Sequence, residues 1–494
     1  MKRILASLII SILFSAVISA QISAPDVSKN KNLQASKTLS LSEISELEDE
    51  YFEIAMKIWN YAELGYKETK SSNLLQSTLK DEGFKIETNL ADIPTAFVAS
   101  YGSGSPVIAL LGEFDALPGV SQTNAPQREK REDVNAGHAC GHHLFGVGSA
   151  AAAIHVKKWL EESGTKGTIR FYGTPAEEGG AGKVYLVRAG MFDDVDAVLH
   201  WHPSSGNSAN AASSLANKSA KFRFHGIASH AAGSPWNGRS ALDGVEAMNY
   251  MVNLMREHIP VESRVHYVIT SGGEAPNVVP EFAEVFYYCR HPEMSQVKKN
   301  FEWLVSIAEA AAQGTQTKME YEVIHGLYNV LPNETLAKVV HDNLKMVGGV
   351  VYDEKETAFA NKIVESFEYA DNVSLELSES IPPFRVIRQG QGGSTDVGDV
   401  SWAVPTAGMR AATWVPGTSA HTWQAVAAGG TTIGQKGMIV AAKTLTLSAM
   451  DYFSNPELLA KAKEELLDLR GPNYKYESLL GDREPPLDYR ALKN

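Results

Sequence analysis

Helical and strand-type hydrophobic patterns alternate along the first 200 residues, and this alternation restricts the chain to few fold classes. Apolar residues between positions 44 and 61 recur at three- and four-residue steps, which is typical of a helix packed on a larger body. Further helices are predicted over 69–82, 143–160 and 180–188. Short apolar runs separate them, at 96–101, 107–111, 168–172 and 197–200. The alternation predicts an α/β sandwich.

The pattern changes after position 207. Strands are predicted over 219–224, 265–270 and 283–288, and helices over 240–257 and 294–312. Such a mixture is typical of a small α+β layer. We therefore divide the chain into a first α/β part over 45–214, an inserted unit over 215–326 and a returning part over 327–494.

The first twenty residues are organised like a secretory signal peptide. Lys2 and Arg3 precede an apolar run that extends to Val17, and the small residues Ser19 and Ala20 follow. The run is shorter than the ~20 residues that a membrane-spanning helix needs. We expect residues 1–20 to be cleaved and the protein to be periplasmic or secreted. Residues 21–44 are polar and without a period, which predicts a flexible leader.

Charge and cysteine content exclude several classes of protein. The formal net charge of −13 argues against nucleic-acid binding, which needs a surplus of Lys and Arg. Two cysteines cannot build a disulfide framework in a chain of 494 residues. No second segment is apolar enough to cross a membrane, so we expect no stable membrane partner. Function must therefore come from local sites.

The decapeptide NAGHACGHHL at positions 135–144 is unusually dense in metal-type donors. Cys140 and His142 lie two residues apart, and His138 and His143 flank them. A thiolate and an imidazole at this spacing suit a divalent metal. A lone cysteine near histidines also fits a thiol nucleophile. The spacing alone leaves both interpretations open.

Three more clusters follow predicted strands or lie near the C-terminal part. Glu177 and Glu178 stand in GTPAEEGG at a strand exit, where α/β sheets bind ligands. The same residues also suit an ordinary helix N-terminus. His202 ends the next strand in the sequence HWHP, and His421 stands much later in TSAHTW. Four such clusters favour a common site over coincidence.

Eight ordered motifs together resemble the co-catalytic metallopeptidase and amidohydrolase family. The motifs are GEFDALPG (112–119), GHACGHH (137–143), GTPAEEGGAGK (173–183), DAVLHWHP (196–203), GIASHAAGSPWNGRSALDG (226–244), GGEAPNVVP (272–280), GSTDVGD (393–399) and GTSAHTWQ (417–424). That family contains aminoacylase, hippurate hydrolase, auxin-conjugate amidohydrolases and carboxypeptidase G. Within it, the sequence is most similar to the B-subunit branch of the p-aminobenzoyl-glutamate hydrolases, whose members are usually cytoplasmic.

The resemblance implies a site with two divalent metal ions, Zn or Mn, in each subunit. It makes Cys140 the bridging ligand. His142 and His202 would complete one metal site, and Glu178 and His421 the other.

Two further carboxylates acquire roles from the same resemblance. Asp115 would orient a ligand imidazole, as carboxylates behind metal ligands do. Glu177 would act as the general base on a water held between the two metal ions. Glu113 stands where the peptidase members have a metal-binding histidine, and His142 would take over the metal-binding role of that histidine.

The resemblance also implies that the inserted unit is a lid and dimerisation domain on an α/β/α catalytic domain. His230 would stabilise the oxyanion across a homodimer interface. Asn277 and Arg290 would hold a free carboxylate of the substrate. As bare sequence, Asn277 lies in a turn and Arg290 ends a strand. A heteromer with a second type of chain stays open.

The function implied is hydrolysis of the amide bond in an N-acyl or N-aroyl amino acid, such as p-aminobenzoyl-glutamate. A dipeptidase or carboxypeptidase of the same family is the first alternative. A thiol hydrolase that uses Cys140, and a non-catalytic binding protein on this scaffold, are the others.

Overall fold

The computed structural model describes residues 31–370, 373–390 and 392–490. The helices in these ranges are α1 (Lys31–Glu46), α2 (Glu48–Tyr61), α3 (Thr69–Asp81), α4 (His142–Ser163), α5 (Gly182–Arg188), α6 (Ala241–Met255), α7 (Met294–Thr315), α8 (Glu334–Val347), α9 (Glu354–Glu365), α10 (Val397–Ala403), α11 (Trp423–Gly429), α12 (Thr432–Ser454) and α13 (Pro456–Arg470). The strands are β1 (Lys85–Thr88), β2 (Phe97–Ser103), β3 (Val107–Gly112), β4 (Leu117–Pro118), β5 (Ala136–Gly137), β6 (Gly167–Gly173), β7 (Ala197–Ser204), β8 (Ala211–Ala212), β9 (Ala216–His225), β10 (Arg264–Ser271), β11 (Phe282–His291), β12 (Lys318–Leu327), β13 (Val386–Ile387) and β14 (Thr406–Ala412).

A six-stranded sheet in the order β1-β2-β6-β3-β7-β14 forms the centre of the molecule. β3, β6, β7 and β14 run parallel, whereas β1 and β2 are antiparallel additions at one edge. Every residue of β3 is buried, so both faces of the sheet are covered there. Helices α4 and α12 pack against each other and against β7. The parallel strands place their carboxyl ends at one edge, where such sheets bind ligands.

A second sheet of four antiparallel strands, in the order β10-β11-β9-β12, forms a separate layer with α6 and α7. Its strands lie between Ala216 and Leu327, and its buried side chains form a core of their own. Phe222 and Tyr287 are central to that core and contact each other edge to face. The predicted α/β sandwich with an inserted α+β domain is therefore confirmed.

The expected flexible leader is wrong for residues 31–44, which belong to helix α1. Leu33, Lys37, Ser40 and Ile44 form its buried stripe, at helical spacing. Two of these four positions are polar, so hydrophobic periodicity misses the helix. The predicted signal peptide and residues 21–30 lie outside the described residues.

None of the helices in the described part of the chain is both long and apolar enough to span a bilayer.

Candidate metal centre and active site

Side chains from distant parts of the chain meet where the parallel strands of the central sheet end. Asp115 follows β3, Glu178 follows β6, and His202 lies near the end of β7. His421 lies in the loop that joins β14 to α11. Because parallel strands end at the same edge of a sheet, these segments converge on one site.

Two groups of metal-type donors share Cys140. One group contains His142 and His202, the other Glu178 and His421, and the donor atoms of each group lie within 4.8 Å of one another. Cys140 Sγ lies 3.4 Å from His202 Nε2, and His421 Nε2 lies 3.1 Å from Glu178 Oε1. Thiolate, imidazole and carboxylate are ligands that zinc and related ions accept. The donor set fits two neighbouring divalent ions.

The surroundings of His142 also favour a bound cation. Burial alone would lower the pKa of its imidazole, but Cys140, Glu113 and Asp115 outweigh that effect and hold the pKa well above its ordinary value. Its buried Nε2 lies 3.0 Å from Glu113 Oε2 and makes no well-directed hydrogen bond to any described residue. Acidic groups surround this imidazole, and a bound metal ion would neutralise their negative charge.

Asp115 connects the two donor groups. Its Oδ1 lies 2.8 Å from His142 Nδ1, and its Oδ2 accepts a hydrogen bond of 2.9 Å from the backbone N–H of Glu178. The carboxylate is fully buried. It therefore fixes the ring of one donor and the backbone of another, and leaves Nε2 of His142 facing the cluster.

Unusual backbone conformations place several of these side chains. Gly141, with φ of 74°, separates Cys140 from His142, and a Cβ there would lie 2.6 Å from a carbon of Pro203. Only glycine fits this turn. His421 has φ of 64° and Ala176, just before Glu177, has φ of 58°. Left-handed conformations of non-glycine residues are costly and concentrate at functional sites.

Glu177 stands beside the donor groups and forms a third cluster with Glu113 and His142. Burial raises the pKa of Glu177 well above its ordinary value, and the charges of Glu113 and Glu178 add to the effect. A carboxylate with a raised pKa is suited to accept and return a proton near neutral pH.

The two other histidines of the 135–144 segment are held away from the donor groups. His138 Nε2 lies 3.1 Å from the carbonyl oxygen of Ile58, and His143 Nε2 lies 3.1 Å from that of Gly429. Burial lowers the pKa of His138 to about 3, so its ring is neutral. Both rings serve the packing of the segment.

The lid residues fall into two places. His230 pairs with Val278 as an isolated bridge, and the backbone carbonyl oxygen of Asn277 accepts a hydrogen bond from the N–H of Ala231. His230 and Asn277 therefore lie together on an exposed part of the lid. The contacts of His230 with other described residues all lie within the lid.

Arg290 lies elsewhere in the lid. It stacks on Tyr288 at 5.1 Å, and the Tyr288 hydroxyl bonds to His325, whose Nε2 bonds to the carbonyl oxygen of Gly179. Arg290 is thereby connected to the loop that carries Glu177 and Glu178.

Comparison with known families gives the same assignment as the motifs. The model of peptidase family M20/M25/M40 matches residues 109–425, which include both donor groups and the lid. The chain belongs to this peptidase family.

The chain can be aligned with known members of the family over most of its length. It is 42% identical to the B subunit of the p-aminobenzoyl-glutamate hydrolase of Escherichia coli, over 84% of this chain and 91% of that protein. It is 30% identical to the Xaa-Arg dipeptidase of Mus musculus, over 89% and 94% of the two chains.

Solved structures share the fold at low sequence identity. An aminobenzoyl-glutamate utilization protein from Klebsiella pneumoniae matches with a TM-score of 0.58 and 18% identity, over 83% of this chain and 97% of the other. A Bacillus subtilis protein described as a dinuclear metal binding peptidase of the M20 family matches with a TM-score of 0.57 and 18% identity, over 83% and 99%. These structures confirm the expected fold, and the family model together with the relative that is 42% identical confirms the expected amide-bond hydrolase.

Sequence reasoning missed the ion pairs behind the M20 site. Lys183 is fully buried, and its Nζ lies 2.6 Å from Glu113 and 2.7 Å from Asp396. Lys183 lies in the motif GTPAEEGGAGK and Asp396 in GSTDVGD. A charged residue in an otherwise apolar or glycine-rich motif is the signal that could have identified them. The pairing holds Glu113 beside His142.

The C-terminal tail was also missed. Tyr489 and Arg490 donate hydrogen bonds to the carbonyl oxygen of Glu178. Arg483 bonds to the lid through the carbonyl oxygen of Ile324 and the carboxylate of Glu322. The tail therefore joins the lid to the loop that carries Glu177 and Glu178. No pattern in the tail itself signals this contact.

Proposed function

We propose that this protein is a metal-dependent amidohydrolase that cleaves the amide bond of an N-acyl or N-aroyl amino acid of the p-aminobenzoyl-glutamate type. The observation that carries the proposal is the pair of donor groups sharing Cys140, with Glu177 beside them. The 42% identity to a chain of a p-aminobenzoyl-glutamate hydrolase supports the substrate class.

In this proposal Cys140, His142 and His202 would hold one divalent ion, and Cys140, Glu178 and His421 would hold the other. When bound, divalent ions supply Lewis-acid activation of water and of the substrate carbonyl. Zn and Mn both suit these ligands.

Glu177 handles the proton in the proposed reaction. Its carboxylate accepts a proton from the attacking water and donates it to the nitrogen of the leaving amine. Asp115 keeps His142 and the backbone of Glu178 in place while the charge at the site changes. The amide C–N bond breaks, and a carboxylate and a free amine are released.

The thiol-hydrolase alternative is disfavoured by the surroundings of Cys140. Burial raises the pKa of the thiol well above its ordinary value. A thiolate therefore needs a bound cation, which makes it a metal ligand rather than a free nucleophile.

We infer that the active unit is a homodimer formed through the lid. β10 is an edge strand, and Val268 and Ile269 on it are 55% and 42% exposed. Tyr250 of α6 is 67% exposed. An unpaired edge with apolar side chains is a template for pairing with another chain. A second copy would bring its His230 and the adjacent Asn277 to this site, and this Asn277 together with Arg290 would hold the substrate carboxylate.

We further propose that residues 1–20 direct export and are removed. The support is the basic, apolar and small-residue order of the segment. The mass of the mature chain recovered from the periplasm or medium tests this. An intact N-terminus on cytoplasmic protein would contradict it.

The proposed function is tested with metal-stripped protein reloaded with Zn or Mn. We expect about two ions per chain by elemental analysis, and hydrolysis of p-aminobenzoyl-glutamate that chelators abolish. Less than one ion per chain, or full activity in Cys140→Ala, would contradict the metal site. Loss of activity with thiol reagents but not with chelators would support the thiol hydrolase.

A substrate panel separates the remaining alternatives. Hydrolysis of Xaa-Arg dipeptides in preference to N-acyl amino acids would favour the dipeptidase, as in the relative that is 30% identical. Metal binding without hydrolysis of any member would favour a binding protein. The native mass of the active protein distinguishes a homodimer from a heteromer.

A further inference from the structure

A cavity of about 570 Å³ extends from the donor groups along the catalytic domain. Cys140, Glu177 and His202 line one part of it, and Asn210, Ser394 and Arg410 line another. This volume is typical of sites for small molecules. The cavity therefore provides room for the part of a substrate that lies beyond the scissile bond.

Arg410 stands next to a proposed metal ligand. It lies on β14 and is paired in register with His202 on the parallel strand β7. Its neighbours Met409 and Ala411 are buried in the core, whereas Arg410 is exposed in the cavity. Because side chains alternate between the faces of a strand, Arg410 projects to the face opposite those core residues.

The guanidinium of Arg410 has no counter-charge among residues 31–370, 373–390 and 392–490. The bonds between Arg410 and Ser208 are made by the backbone alone, and no ion pair joins the guanidinium to a carboxylate of the described residues. Arg170 and Arg223, by contrast, each pair with a carboxylate, Arg170 with Asp194 at 2.6 Å and Arg223 with Glu284 at 2.7 Å. Surrounding protein lowers the pKa of Arg410, but guanidinium stays protonated in proteins.

Two of the carboxylates that line the cavity, Glu113 and Glu178, are already engaged by other side chains. Glu113 pairs with Lys183 at 2.6 Å, and Glu178 lies 3.1 Å from His421. A second polar group nearby is also unused, because the buried Oγ of Ser394 has no hydrogen-bond partner among the described residues. An unpaired guanidinium and a free hydroxyl along one cavity are suited to a carboxylate.

We propose that Arg410 binds a second carboxylate of the substrate and so selects N-acyl amino acids with an acidic side chain. The inference rests on the proposed function, in which the lid residues Arg290 and Asn277 hold the α-carboxylate. Arg410 then disfavours a cationic side chain at this position, since two like charges would share the cavity. Glutamate conjugates are selected over glutamine and arginine conjugates.

The test compares p-aminobenzoyl-glutamate with p-aminobenzoyl-glutamine on the metal-loaded enzyme. The two substrates differ only in the charged oxygen that Arg410 would bind. We expect wild type to prefer the glutamate conjugate by about 10- to 100-fold in kcat/KM, the range for a charge-assisted hydrogen bond. Arg410→Gln should remove the preference chiefly through KM, and Arg410→Lys should restore part of it.

Arg388→Gln is the matched control, because it removes the same charge from an exposed pair with Glu334. It should leave the preference within about twofold, as surface changes usually do. Thermal melting and metal content of Arg410→Gln check that the variant is folded. Equal loss on both substrates, or no preference in wild type, would overturn the proposal.

Calorimetric binding of the same two compounds to metal-loaded wild type and Arg410→Gln keeps the inference separate from catalysis. Tighter binding of the glutamate conjugate that depends on Arg410, without hydrolysis, would support the carboxylate site and contradict the proposed function. Hydrolysis with equal binding of both compounds would support the proposed function and contradict the role of Arg410.

Discussion

At the scale of single residues, the site depends on neighbouring side chains that occupy one polar atom of a residue and leave its other polar atom facing the cluster. Asp115 occupies Nδ1 of His142, so that only Nε2 faces the cluster. Lys183 occupies one oxygen of Glu113 and leaves the other beside that Nε2. Side chains positioned in this way are ready to bind a cation without rearrangement.

Replacing each of the two adjacent glutamates with glutamine, one at a time, separates catalysis from metal binding. Glu177→Gln should keep the metal content but lower kcat by at least ~10²-fold, because the amide cannot accept the proton. Glu178→Gln should lose metal, since it removes a charged ligand. Turnover and elemental analysis of both variants check this. Turnover of Glu177→Gln near that of wild type would remove Glu177 from the mechanism.

At the scale of elements, helix α1 is docked through a buried ion pair in addition to the apolar side chains of Leu33 and Ile44. Lys37 Nζ lies 2.6 Å from Asp451 on α12 and 3.1 Å from the Oδ1 of Asn343 on α8. Lys37 is only 5% exposed and Asp451 4%. A buried charge that loses its partner is costly, so this contact ties α1 to the catalytic domain.

Lys37→Met should lower the free energy of unfolding by about 3 kcal/mol, because it leaves the Asp451 carboxylate buried without its cation. The double variant Lys37→Met/Asp451→Leu should recover much of that loss. Lys57→Met on the exposed face of α2 is the control, with an expected change within about 0.5 kcal/mol. Urea unfolding measures all three. An unchanged midpoint in Lys37→Met would mean that α1 does not dock as described.

The contact between α2 and α4 should make the protein sensitive to acid. The hydroxyl of Tyr51 lies 3.0 Å from Nε2 of His155, which is fully buried. Burial lowers the pKa of His155 to about 4, and the positive charge of Lys158 acts in the same direction. Between pH 6.5 and pH 4 the unfolded chain binds a proton that the native state does not, so stability falls as the pH falls.

We expect His155 to contribute about 3 kcal/mol of stability, present above pH 6.5 and lost as the pH falls toward 4. His155→Leu/Tyr51→Phe removes both the titrating group and the hydroxyl that bonds to it. Unfolding of wild type and this variant between pH 7 and pH 4 should show a steeper decline for wild type. Parallel pH profiles would contradict the assignment.

At the scale of the whole molecule, the lid and the catalytic domain have separate cores but share polar contacts. His325 of the lid bonds to the loop of Glu177 and Glu178, and Arg483 of the C-terminal tail bonds back to the lid. His230 makes its described contacts within the lid. In the proposed function, the lid of a second copy would supply the His230 that completes the site.

Mixing two inactive variants tests this arrangement. His230→Ala should lower turnover far more than metal content, and Glu177→Gln should do the same for a different reason. In mixed dimers one site regains both functional residues, so exchange of subunits should restore part of the activity. Mass measurement must show that exchange occurred. Proven exchange without recovery would mean that His230 acts within its own chain or not at all.

The sequence by itself determined the α/β class, the inserted lid and the metal-type donors that converge on the site. Hydrophobic periodicity is a property of short segments, and the donors stand in motifs at strand ends, so both can be identified locally. Periodicity failed at α1, whose buried stripe contains Lys37 and Ser40. Hydrophobic periodicity also failed to predict strand β14, because the pattern of apolar residues there does not differ from that of the flanking segments.

Only the tertiary structure decided which charges are paired and which are left free. The partner of Lys183 at Asp396 lies 213 positions away, and the contact of Arg490 with Glu178 spans 312. The free guanidinium of Arg410 is recognised by its lack of a partner among the described residues. Pairing depends on distances between segments that are remote in sequence. No local pattern carries that information, because the energy of a charge is set by what folding brings next to it.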